Sequence, residues 1–210
     1  MDVAELAPGL WRWTARHPAW KPGDTWGADV ACFYAETSEL TVLVDPLVPV
    51  GAEREPFLRH LDEDVARRHG IPVAIVLTGE WHRRSTDELA ERYGATVHID
   101  GELPAGLERI GNAGPDPIVW LSELRALAVG DALISVGGEL RLWGAAEDPE
   151  PIRAALDRPV EHVLVAHGEH VAGGKDALTA ALTRRMAERR AAVWPPVEME
   201  RTPPCRATRS

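Results

Sequence analysis

Residues 76–99, VLTGEWHRRSTDELAERYGATVHI, constrain the chain more than any other stretch. An apolar run stops at Thr78, and the polar loop Gly79-Glu80-Trp81-His82-Arg83-Arg84 follows. Ser85-Thr86-Asp87-Glu88 then has capping-box spacing: the Ser85 hydroxyl can accept from the Glu88 amide, and Glu88 can reach back. Leu89, Ala90 and Tyr93 make one inner face of the helix so started. Gly94 stops it, and residues 97–99 return to a β-like run. The segment therefore presents a polar loop where a buried strand meets a capped helix.

Patterns elsewhere extend this unit. Residues 10–13 begin a β-like segment with Trp11 and Trp13 on one face. Residues 17–27, rich in Trp, Pro and Gly, read as a loop. Residues 29–36 and 40–45 read as strands joined by a polar turn. Phe57, Leu58, Leu61 and Val65 make a helical stripe that Gly70 and Pro72 end. Residues 73–78 read as a buried strand and 101–117 as loop. Strands are expected at 118–121, 124–129, 133–136 and 140–143, a short helix at 149–157, a strand at 160–166 and a last helix at 176–192. This order fits an α+β fold, a four-layer α/β/β/α sandwich. One domain over 1–194 follows, with 195–210 as a disordered tail too poor in apolar residues to pack.

The 210 residues suffice for a single core, and 45% hydrophobic with 27% charged residues is ordinary globular composition. A net charge of −10 argues against nucleic acid as a partner. Two cysteines, Cys32 and Cys205, make no disulfide framework. No apolar run is long enough to span a bilayer, and no signal-peptide pattern opens the chain. The expectation is a cytoplasmic protein without a membrane partner. No G-x-S-x-G motif is present.

Thr78 with its loop, Gly130-Asp131 in VGDALISVGGELRLWG and His167 in VLVAHGEH occur in an order that resembles the metallo-β-lactamase superfamily. There a strand ending in Thr leads into a His-x-His-x-Asp-His loop, then a Gly-Asp, then a strand-terminal His. The resemblance implies the sandwich fold and a metal-activated water, its pKa lowered by zinc or iron. Counted from Thr78, the loop positions that carry His, His, Asp and His hold Gly79, Trp81, Arg83 and Arg84. Counted back from the helix, His82 falls on the last histidine. Either register keeps at most one.

The resemblance thus implies His82, Asp131 and His167 as a reduced ligand set, for at most one zinc or iron ion or for none. Glu80 and His170 stand in reserve, and Asp45, ending an early strand, supports the cleft. Arg83 or Arg84 could replace the missing cation beside Asp131. Trp20, Trp26 and Trp81 lie in loops that would rim the cleft. Two functions follow: a one-metal hydrolase of a small ester, thioester, lactone or amide, or a metal-free relative binding a small molecule or a protein. The ordinary alternatives are a surface His82, a turn-forming Asp131 and a strand-end His167. The sequence leaves the oligomeric state open.

Overall fold

A computed structural model describes residues 1–24, 26–99, 101–143, 149–171 and 173–193, with side chains to Arg184. The chain forms a six-stranded sheet in the order β1 to β6: Val3–Ala7, Leu10–Arg16, Asp29–Glu36, Thr41–Val44, Val73–Val76 and Thr96–His98. The second sheet has the order β12-β9-β8-β7, from His162–Val165, Ala126–Gly130, Asp116–Leu121 and Leu107–Ala113. A hairpin of β10 (Leu133–Val136) and β11 (Glu139–Leu142) stands apart. Its turn is Gly137-Gly138, both at positive φ, as a tight hairpin between twisted strands requires.

Three apolar clusters define the layers. Between the sheets lie Phe33, Val42, Val44, Ala74 and Val76 of one, with Val119, Leu121, Ala126, Ala128 and Leu164 of the other. Outside the first sheet, α1 (Arg54–Arg67) and α2 (Thr86–Tyr93) bury Phe57, Leu58, Leu61 and Leu89 against Val30, Tyr34, Leu43 and Ile75. Outside the second, α3 (Glu150–Ala154) and α4 (Gly174–Val193) bury Ile152, Leu178 and Leu182 against Trp120, Leu127 and Val165. Helix, sheet, sheet, helix is the layering expected, and the alternation along β3 and β8 supplies both sheet faces.

Pairing is antiparallel from β1 to β4 and parallel from β4 to β6; in the other sheet β12 runs parallel to β9. The C-terminal ends of β4, β5, β9 and β12 therefore face one edge. The Ala31 amide donates to the Ala166 carbonyl at 2.9 Å, tying the sheets together there.

Some expectations need correction. Residues 107–113, read as loop, form β7: LERIGNA alternates weakly and Gly111 lies under Pro151 of α3. β1 is not anticipated: VAELA is too short for a clear alternation and forms an edge strand with no fully buried residue. The capping box does not form: the Ser85 hydroxyl accepts from the Val48 amide at 2.9 Å, and Glu88 pairs with Arg54 of α1. Tertiary partners thus outcompete the local cap. Among the described residues no helix is long and apolar enough to cross a membrane. The tail expected over 195–210 lies outside the described residues.

Candidate functional site: a histidine–carboxylate cluster under tryptophans

The chain leaves β4 through Asp45, held at φ 49°, and leaves β5 through Thr78. Asp45 is 2% exposed. Its Oδ1 accepts the Thr78 amide at 2.8 Å and its Oδ2 accepts the Thr78 hydroxyl. A single 3-10 turn over Glu80–His82, closed by the His82 amide on the Gly79 carbonyl, then swings His82 inward to 1% exposure. His82 Nδ1 sits 3.0 Å from Asp45 Oδ2 and 3.0 Å from Thr78 Oγ1. With Nδ1 beside a carboxylate, Nε2 is the nitrogen left for the cleft.

Asp131 follows Gly130, which has φ 51°. A Cβ at Gly130 would lie 2.7 Å from Thr78 Cβ and 3.1 Å from its carbonyl oxygen. Only glycine lets β9 end against the Thr78 turn, so Gly130 fixes where Asp131 points. His167 follows β12, 6% exposed, its carbonyl accepting the Ser135 amide at 3.0 Å. Asp131 Oδ1 then lies 3.5 Å from His82 Nε2 and 3.3 Å from His167 Nε2. The three residues separated in sequence do share one cleft.

Trp81 completes the arrangement. Its indole Nε1 donates to Asp131 Oδ2 at 2.8 Å. Its ring lies over Gly79, where a Cβ would fall 2.9 Å from an indole carbon. Gly79 and Trp81 therefore act as one unit, since any side chain at 79 would push the indole off Asp131. Two further indoles flank the other histidine: Trp26 and Trp143 meet His167 edge-on at 5.3 and 5.1 Å between ring centres. The cleft encloses about 230 Å³ between Trp26, Trp81, Trp143, Arg84 and the His82–Asp131–His167 floor.

Electrostatics follow from burial. Burial alone would depress His82, but the Asp45 and Asp131 carboxylates outweigh it and lift its pKa to about 9. Burial would raise both carboxylates. The close His167 and His82 imidazoles instead hold Asp131 well below the ordinary range, and His82 does the same for Asp45. Asp116, at the start of β8, behaves oppositely. It is 2% exposed and its Oδ1 has no hydrogen-bond partner among the described residues. Burial, then the Asp131 charge, push it up to about 7. Nothing in the sequence separates Asp116 from an ordinary turn aspartate.

The remaining candidates divide. Arg84, at φ 29°, lines the cleft, but its Nη1 donates to the Asp45 carbonyl at 3.1 Å and contacts Cys32 Sγ at 3.9 Å. Arg83 is exposed, near Glu80 and Asp87. The expected arginine partner of Asp131 is therefore replaced by the Trp81 N–H and two imidazoles: the chain at residue 84 turns its guanidinium under β4. Glu80 faces solvent, away from the floor. His170 stacks near His162 at 5.9 Å, and Trp20 donates to the Trp26 carbonyl at 2.9 Å; neither lines the cleft. Trp26 and Trp81 do. Trp143, not singled out from sequence, is brought in when its amide bonds the Ala132 carbonyl at 3.2 Å.

For metal the geometry is mixed. The 3.3 and 3.5 Å separations match neighbouring ligands on a tetrahedral ion at roughly 2.0–2.1 Å. His82 Nε2 and Asp131 Oδ1 are buried without a hydrogen-bond partner among the described residues. Both contacts, however, run through one oxygen. Among the described residues no group of three or more His, Cys, Asp or Glu side chains is arranged to hold a metal ion. A two-metal set has no donors at Gly79, Trp81, Arg83 or Arg84 where it would need them.

The Asp116 geometry gives a test of this electrostatic picture. A carboxyl that folds with a raised pKa binds more protons in the native than in the unfolded state. Its ionisation therefore erodes stability as pH rises from about 4 through 7. Asp116→Asn should raise stability at pH 8 by about 1–2 kcal/mol, with little effect at pH 4. Urea denaturation at both values checks this; an equal effect at the two pH values would contradict it.

No protein-family model matches the chain, and no curated protein matches it in sequence. Solved structures do. VMB-1 aligns over 90% of this chain and 97% of its own, with TM-score 0.62 and 14% identity. A metallo-β-lactamase from Erythrobacter litoralis aligns over 89% and 92%, with TM-score 0.57 and 16% identity. The DIM-1 metallo-β-lactamase aligns over 89% and 97%, with TM-score 0.54 and 13% identity. At such identities the shared property is architecture, and it agrees with the two packed sheets, their outer helices and the cleft at the strand ends: this chain has the metallo-β-lactamase fold.

Proposed function

We propose that the cleft is a metal-independent binding site for a small molecule, built on a fold whose hydrolases use bound metal. The observation that carries this reading is the Trp81–Asp131 hydrogen bond, with the indole lying over Gly79. The N–H satisfies one oxygen of the carboxylate that the resemblance makes a metal ligand. The other oxygen faces two imidazoles, one of them protonated at neutral pH by its carboxylate neighbours. The carboxylate is thus balanced by protons and by an indole dipole. An apolar ring would lie against Trp26 and Trp143, with a polar group over His82 Nε2 and Asp131 Oδ1.

A second reading is a one-metal hydrolase of a small ester, thioester, lactone or amide. The ligand-like separations of His82, Asp131 and His167 favour it. In that case these three would hold zinc or iron, which supplies an activated water. Asp45 would orient His82 through Nδ1, the usual support for a ligating histidine.

Zinc titration calorimetry on chelator-treated protein separates the readings. Ours expects no stoichiometric site for zinc at micromolar concentrations. Stoichiometric uptake abolished by Asp131→Asn would favour the hydrolase. Trp81→Phe keeps a ring but removes the N–H, and should cost about 1 kcal/mol of stability in chelator. The loss should vanish when Asp131 is already Ala, which has no acceptor for the N–H, as a double-mutant cycle would report.

A further inference from the structure

A second pocket lies on the outer face of the six-stranded sheet, between β2, β3 and α1, and shares no lining residue with the cleft. Its floor is Trp11, Trp13 and Tyr34, which the β2–β3 register places on one sheet face. Its far wall is α1, through Phe57, His60, Leu61 and Asp64. These four have the i, i+3, i+4, i+7 spacing of a single helical face. A helix packing tightly on indoles would carry four apolar residues there. This one carries two, with His60 exposed and Asp64 half-buried. The polar half of the face stands off from the tryptophans, leaving a cavity of about 280 Å³.

We infer that this cavity is a binding site for a neutral one- or two-ring aromatic molecule, separate from the cleft. Size supports that class, since an apolar cavity of roughly 150 Å³ already holds a benzene ring. The chemistry of the walls narrows it. Trp13 Nε1 donates to the Leu47 carbonyl at 2.9 Å, and the Tyr34 hydroxyl donates to Glu36 Oε1 at 2.8 Å. Both groups are spent, and charged groups that also line the pocket are already engaged, the Met1 ammonium with Glu53, the Arg12 guanidinium with the Gly168 carbonyl and Asp64 with Arg67, so an ionic group inside would lose its hydration for little return. Phe57 meets Trp13 at 5.3 Å with a 44° tilt, and a flat guest extends that aromatic packing. His60 and Asp64 sit where one polar substituent could emerge. Few polar groups at the rim of an apolar hollow is the usual make-up of a small-molecule pocket.

The neutral two-ring fluorophore 6-propionyl-2-(dimethylamino)naphthalene, with indole as competitor, tests the inference on the full chain. Its emission should rise saturably to one equivalent, and indole should reverse the rise. Trp11→Ala removes part of the floor at a half-buried position, and His60→Trp blocks the rim from an exposed position. Each should weaken the probe at least tenfold, with unchanged circular dichroism. Trp81→Ala, in the cleft, should change its affinity less than twofold. Non-saturable emission would overturn the inference, as would wild-type affinity in both pocket variants. Loss of binding in Trp81→Ala alone would overturn it too, by placing the probe in the cleft.

Discussion

His82→Ala should destabilise the protein by about 3–5 kcal/mol, the usual result of removing one partner from a buried ion pair. The imidazolium is 1% exposed and stands between two carboxylates, Asp45 at 3.0 Å and Asp131 at 3.5 Å. Its removal leaves Asp45, 2% exposed, with the Thr78 amide and hydroxyl but no cationic contact of that kind. The loss should shrink when Asp45 is Asn, because the neutral amide needs no counter-charge. The pH profile has a definite sign. A histidine whose folded pKa is raised from 6.5 to about 9 contributes fully below pH 6.5 and loses its contribution as pH climbs through 9. The depressed Asp45 and Asp131 contribute above pH 4 and fail as acid protonates them. Stability in chelator should therefore fall more steeply between pH 6.5 and 9 in wild type than in His82→Ala. Parallel curves would contradict the pairing.

Gly130→Ala should cost about 3 kcal/mol or more, well above an average substitution. Two penalties combine there. The backbone lies at φ 51°, where an L side chain is strained. The new methyl would also fall 2.7 Å from Thr78 Cβ, inside contact distance. Relief requires Thr78 to move, and Thr78 holds both oxygens of Asp45. The substitution should thus loosen His82 as well, shifting its imidazole resonances in NMR spectra. Calorimetric unfolding within 1 kcal/mol of wild type would show that the turns are not so tightly packed.

Much of this was legible in the sequence because it depends on periodicity. The strand runs 29–36, 73–78 and 118–121 and the stripe Phe57, Leu58, Leu61 locate their elements, and glycines mark the turns. The order Thr78, His82, Asp131, His167 anticipates one cleft because each follows a strand end. What failed depends on long-range competition. Ser85 has a helix-cap sequence, yet the Val48 amide takes its hydroxyl. β7 is carried by its partner β8 rather than by its own pattern. Arg84 looked like the cation for Asp131, but the turn at Asp45 captures it. The sequence places Trp81 at the rim; that its N–H reaches Asp131 depends on Gly79 being bare, a relation no spacing rule contains. Asp116 and Trp143 join the region only through strand and hairpin placement.

The central claim is that protons and the Trp81 N–H, rather than a metal ion, balance Asp131. Elemental mass spectrometry of protein purified without chelator in zinc- and iron-supplemented medium tests it most directly. The account predicts well under one equivalent of either metal per chain. One or more equivalents of zinc or iron, absent from Asp131→Asn protein prepared in parallel, would contradict it.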